Sequence, residues 1–190
     1  MTHTIINSDR RAQESWLKQY YFVRAGFAIL WVIAVVLLAP RSGSAGAALL
    51  IAYPLWDALA NLVDANRSGG LAANRTQLLN VVASVLVAAG LAIALPDMHQ
   101  VLGVFGTWAM LSGLLQLGTG LRRWKTSGAQ WAMVLSGAQS TLAGAVFLFQ
   151  AQQAATPAIV SLAGYAGFGA FYFLVSALAL TLSAHRRKIA

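Results

Sequence analysis

Six long apolar runs, separated by short polar or charged breaks, make up most of the chain. They cover approximately Tyr20–Ala39, Ala45–Ala65, Gln77–Leu95, Gln100–Leu121, Gln130–Phe149 and Thr156–Ser183. A helix needs about 17–25 such residues to cross about 30 Å of hydrocarbon. The runs are apolar on every face and lack the short alternating segments of barrel strands. Backbone groups in lipid must bond within their own segment, so the runs predict helices. The expected fold class is all-α, an integral membrane bundle of six transmembrane helices. The last run is long enough to tilt or to project beyond the bilayer.

The same pattern groups the runs into three helical hairpins, at about 20–65, 77–121 and 130–183, with tails at 1–19 and 184–190. Each returning run ends in basic residues: Asp64-Ala65-Asn66-Arg67, Gly120-Leu121-Arg122-Arg123-Trp124-Lys125, and Ala184-His185-Arg186-Arg187-Lys188. The first two rising runs end in Leu38-Ala39-Pro40 and Ala94-Leu95-Pro96, where proline suits a helix stop. Aligning these ends matches Arg24 with Asn80, Asp57 with Ser112 and Ser176, and Tyr53 with Trp108 and Tyr172. The matches suggest an approximate threefold repeat in parallel orientation. A general likeness among short-looped membrane hairpins is the competing explanation.

Composition agrees with lipid as the solvent. Of 190 residues, 58% are hydrophobic and 9% charged, against about 25% charged in soluble domains. The net charge is +8, and its placement decides its meaning. Arg10, Arg11, Lys18 and Arg24 precede or open the first run, and Arg67 and Arg75 follow the second. Arg122, Arg123 and Lys125 follow the fourth, and Arg186, Arg187 and Lys188 the sixth; Arg41 alone lies opposite. The positive-inside rule then puts both termini in the cytoplasm. The basic clusters fit anionic lipid headgroups, and no nucleic-acid partner is expected. Cysteine is absent, which removes disulfides and thiolate metal sites. Ser44-Ala45-Gly46-Ala47 has the small residues of a signal-peptide cleavage site, yet cleavage would leave the other basic loops against the charge rule, so the first span is expected to be retained.

The stretch from Arg24-Ala25-Gly26-Phe27-Ala28-Ile29-Leu30 through Leu38-Ala39-Pro40-Arg41-Ser42-Gly43 resembles the first hairpin of HdeD-like membrane proteins. Trp131-Ala132-Met133-Val134-Leu135-Ser136-Gly137, followed by Gly144, is similar to a second phrase of that family. The resemblance runs from about Tyr20 to Ser183. It implies a bacterial inner-membrane protein with a non-enzymatic role in membrane or acid stress, and it brings no catalytic residues. Asp57 departs from the family, where small or apolar residues are usual.

Small residues that let backbones approach take over much of the work of helix association in lipid. On the fifth run, Ser136, Ser140 and Gly144 form one row and Gly137, Thr141 and Ala145 its neighbour. Ala109 and Gly113 on the fourth run and Ala163 and Gly167 on the sixth repeat the pattern. These positions predict a crowded helix contact within the bundle or between copies in a homo-oligomer. Trp16, Tyr20, Tyr21, Trp124 and Trp131 fit an interfacial aromatic belt.

Charge within lipid is costly and marks candidate function. Asp57 lies about 12 Å inside the basic end of its helix, one turn after Pro54. Folding the first hairpin brings Arg24 to the depth of Asp57, Asn61 and Asp64. An ion pair of Arg24 with Asp57 or Asp64 would brace the hairpin. A titrating or cation-attracting Asp57 in a polar cavity, with Asn61, Asn80, Gln116 and Gln139 nearby, is the functional alternative. His3, His99 and His185 are scattered. No zinc motif, nucleophile elbow or phosphate-binding loop occurs, so neither an enzyme, a metal nor a cofactor is expected. The leading expectation is thus an HdeD-like protein acting by assembly or partner contact. The alternative is a small channel or transporter for protons or a small polar solute with Asp57 in the pathway.

Overall fold

Each apolar run closes into one helix. A computed structural model describes the backbone of residues 2–122, 124 and 130–189, and side chains over 14–118, 120, 121, 124, 131 and 133–186. The helices are α1 (Thr2–Leu38), α2 (Gly43–Arg67), α3 (Arg75–Ala94), α4 (Met98–Arg122), α5 (Gln130–Gln150) and α6 (Val160–Ile189). Each contains a stretch long and apolar enough to cross a membrane, so the chain is a multi-pass membrane protein. Large apolar side chains such as Leu30, Leu86, Ile93 and Leu142 point outward, as lipid contact requires.

The first and last helices continue beyond their apolar runs, α6 to Ile189. α1 begins at Thr2, far ahead of Tyr20, because residues 2–19 contain neither proline nor glycine to stop the helix. Of the residues expected at headgroups, the side chains of Arg10, Arg11, Arg122, Arg123, Lys125, Arg187 and Lys188 lie outside the described residues.

Local chemistry fixes the turns. The Ala45 backbone N–H donates to Ser42 Oγ at 3.3 Å and caps α2. α2 runs on through the buried Pro54. It ends where Gly69 and Gly70 take left-handed φ values of 96° and 86°, a conformation that glycine adopts without steric cost. Asn74 Nδ2 donates to the Ser68 and Gly70 carbonyls across that turn. On the opposite side of the bundle, Asp97 caps α4: the His99 backbone N–H donates to its Oδ1 at 2.9 Å and holds the carboxyl below its usual range.

The helices form a closed circuit in which each contacts the next and α6 returns to α1. The closest pairings are α4 with α5, α1 with α6, and α2 with α3. Contacts inside the hairpins α1–α2, α3–α4 and α5–α6 are looser. Pairings such as Asp57–Ser84 with Asp64–Gln77 show that α2 and α3 run antiparallel.

The bundle differs between its two ends. Trp31, Leu50, Leu91, Phe105, Phe147 and Leu162 belong to one dry core. All lie in the half of their helices farther from the basic ends. Ring contacts fill its centre: Phe105 meets Trp108, Phe147 and Tyr165 edge-on, and Tyr53 packs on Trp31 with centroids 4.6 Å apart. The polar side chains of the interior lie on the basic side of this aromatic layer.

Candidate functional site: a polar cavity between five helices

The site begins with Arg24. One turn of α1 separates it from Tyr20, whose hydroxyl accepts from Arg24 Nη1 at 2.9 Å. Its Nη2 donates to Asp57 Oδ1 on α2. The two side chains are only 15% and 14% exposed, so water contributes little to their solvation. Phe173 of α6 covers the guanidinium, 4.4 Å from ring centre to charge, a favourable cation–π arrangement.

Asp57 is fully engaged. Its Oδ2 accepts from Asn61 Nδ2, one turn along α2, and from Ser84 Oγ of α3, each at 3.0 Å. Ser84 Oγ in turn accepts from Trp108 Nε1 of α4 at 3.1 Å. One chain of hydrogen bonds therefore ties α1, α2, α3 and α4 together. A second links the remaining helices: Ser140 Oγ donates to the Ala109 carbonyl at 3.1 Å. That uses its only proton, so the Tyr165 hydroxyl must be the donor in the 2.7 Å contact with Ser140 Oγ. Buried polar groups are costly unless they are bonded, and these two chains satisfy most of them.

Between the chains lies a cavity of about 90 Å³. α1, α2, α4, α5 and α6 contribute to its wall, while α3 stands outside it. Arg24 and Asp57 supply the charged groups of the lining, Trp56, Trp108, Tyr165 and Phe168 aromatic surface, and Ser112, Gln116, Ser136 and Gln139 a polar strip on α4 and α5. Ser112 Oγ is buried without a hydrogen-bond partner.

α4 and α5 are held unusually close. A Cβ added at Gly113 would lie 2.5 Å from the Thr141 nitrogen, and one at Gly144 2.5 Å from the Met110 nitrogen. Gly106 and Gly137 are similarly pressed against the opposing backbone. Only glycine fits here, and the seam fixes the polar strip that both helices present to the cavity.

The sequence candidates fall into distinct places. Arg24, Asp57, Gln116 and Gln139 line the cavity, and Asn61 supports Asp57 from one side. Asp64 accepts instead from Gln77 Nε2 at 3.2 Å, and Asn80 lies outside the wall. Gly113, Gly137, Thr141 and Gly144 meet in the α4–α5 seam. Ala109 and Ala163 are buried, Ser140 bonds across to α4, and Ser136 faces the cavity. Ala145 is exposed, and Gly167 has no neighbour within 4 Å of where a Cβ would sit, so these two lie outside the seam. Sequence reasoning missed Ser84, Trp108 and Tyr165 as partners of the polar chains, and gave Tyr20 only a role in the belt. Among the described residues, no group of three His, Asp or Glu side chains gathers as a metal site would need.

No protein-family model matches the chain, and neither a curated protein nor a solved structure matches it.

Proposed function

We propose that the protein is a non-enzymatic membrane carrier for a small polar solute, which binds in the cavity beside Asp57 and enters from the basic side. The carrying observation is the polar strip of Ser112, Gln116, Ser136 and Gln139 facing the Arg24–Asp57 pair across about 90 Å³ of space. A structural brace needs only the ion pair and its bonded neighbours. It does not need a second polar wall, and polar groups in the hydrocarbon zone are costly to keep. The aromatic layer of Tyr53, Phe105 and Phe147 lies between this cavity and the far side, which favours a carrier over an open pore.

Assembly through the small-residue stripe of α5 has less support. Gly137, Thr141 and Gly144 are consumed by α4 of the same chain, leaving little of that stripe for a partner. The basic ends give the orientation we propose, with both termini in the cytoplasm and the protein in a bacterial inner membrane. The basic side chains there fit anionic headgroups. The resemblance to HdeD-like proteins supplies membrane or acid stress as the physiological setting. The threefold repeat of hairpins is part of the same reading.

Reconstituted liposomes test the proposal. Wild-type protein should speed entry of small polar solutes above empty liposomes, and Asp57→Asn should change that rate. Background flux in both proteins, for every solute tried, ends the carrier reading.

A further inference from the structure

We infer that the cavity selects an uncharged solute carrying both hydrogen-bond donors and acceptors, such as a small amide or polyol, and excludes ions and protons. This rests on the carrier reading and sharpens it by naming the substrate class.

Charge balance is the first argument. The cavity wall holds one cation and one anion, Arg24 and Asp57, and they are paired with each other. Asp57 accepts from three side chains, which leaves a metal cation or ammonium little carboxylate to bind. Arg24 is likewise engaged by Asp57, Tyr20 and the Phe173 ring, which withholds it from an anion. An entering ion would meet no uncompensated opposite charge, and neutral groups alone would replace only part of its lost hydration.

The free hydrogen-bonding capacity is neutral. Ser112 Oγ is unpartnered but shut off from the open space, so the amides carry the contact. Gln116 and Gln139 line the same space, and each amide offers one carbonyl acceptor and two N–H donors. Ser136 adds a hydroxyl. A solute with donors and acceptors of its own can meet both kinds of group, whereas a purely accepting anion or a purely donating cation would leave half of them unmet. Aromatic faces from Trp56 and Phe168 complete the wall and suit the CH or flat amide surface of such a solute.

Size sets the upper limit. About 90 Å³ is far below the roughly 300–1,000 Å³ of a pocket for a drug-sized ligand, so the solute is small. Proton transfer along the wall is also unsupported. The Arg24–Asp57–Ser84–Trp108 chain ends on an indole N–H, which donates but does not accept.

The test uses the full chain in liposomes, with urea and glycerol as neutral probes and sodium formate, ammonium chloride and a proton gradient as charged ones. Entry of urea or glycerol should exceed that into empty liposomes, with no current and no proton flux. Gln139→Leu should raise the half-saturating concentration of the transported neutral probe about two- to tenfold, the effect of one lost neutral hydrogen bond. Ser136→Ala removes a hydroxyl of the same strip, a small change that should fold normally while weakening the same probe. Flux of protons or ions without flux of either neutral probe overturns the inference and leaves a carrier of another kind. Neutral flux that neither variant alters also overturns it, because the polar strip is then not the site. Absence of all flux fails the carrier reading and this inference with it.

Discussion

Ser84 Oγ donates to Asp57 Oδ2, the carboxylate oxygen that Arg24 leaves free, at 3.0 Å. The same hydroxyl accepts from the Trp108 indole at 3.1 Å. One small side chain of α3, a helix outside the cavity wall, therefore completes the coordination of the carboxylate inside it. Ser84→Ala should destabilise the protein by about 1–3 kcal/mol, since it leaves the Trp108 N–H buried without an acceptor. Thermal unfolding in detergent measures this. Unchanged stability would separate Ser84 from the network.

The ion pair should be more damaging to halve than to delete. Arg24→Met strands the Asp57 charge at a site where both partners are about 15% exposed, and one-sided removal of a buried pair costs about 3–5 kcal/mol. Arg24→Met combined with Asp57→Leu should recover part of that loss. A double mutant no better than the worse single would show that each residue is held by contacts other than its partner.

Glycines on α4 should separate into two classes. Gly113→Ala forces a methyl group to 2.5 Å from the α5 backbone and should cost about 1–3 kcal/mol by overpacking. Gly118 has open space at the same point, so Gly118→Ala should be neutral or stabilise by up to about 1 kcal/mol through helix propensity. Gly113→Ala should lower the melting temperature, and Gly118→Ala should leave it unchanged or raise it. Equal shifts would mean that the close helix approach carries no special constraint.

The pH dependence of the α4 cap follows from Asp97. Its carboxyl is held below the ordinary value, chiefly by the His99 backbone N–H. The stabilisation is therefore present above the unfolded carboxyl value of about 4 and disappears as pH falls through the lower folded value. Asp97→Ala should melt below wild type at neutral pH, and the gap should close in strong acid. A constant gap across that window would exclude the charged cap as its source.

Much of the architecture can be read from the chain because lipid leaves so few ways to satisfy a backbone. The apolar runs fix six helices, and the short turn at Pro40 brings Arg24 opposite Asp57 in depth. The position of α3 was not legible. It is apolar nearly all round, so its periodicity does not say which face meets α2. A register clue existed: Asp57 and Asp64 are seven residues apart, as are Gln77 and Ser84 on an antiparallel neighbour, and both pairs are bonded. Asn80 is more polar than Ser84, yet it lies one turn away from the contact. The seam likewise was half visible. The small residues of α5 recur every four positions, whereas Gly106 and Gly120 lie seven residues either side of Gly113, a wider spacing that a search for close small-residue pairs skips. Nothing local could reveal that α1 packs on α6, since the two are joined by no turn.

That last contact can form only late. During synthesis α1 enters the membrane first and α6 last, yet Phe173 of α6 is the ring that shields the Arg24 guanidinium. Until α6 arrives, the Arg24 guanidinium lacks the ring on that flank. A chain without α6 would keep Arg24 bonded to Asp57 but lose the ring over its other flank.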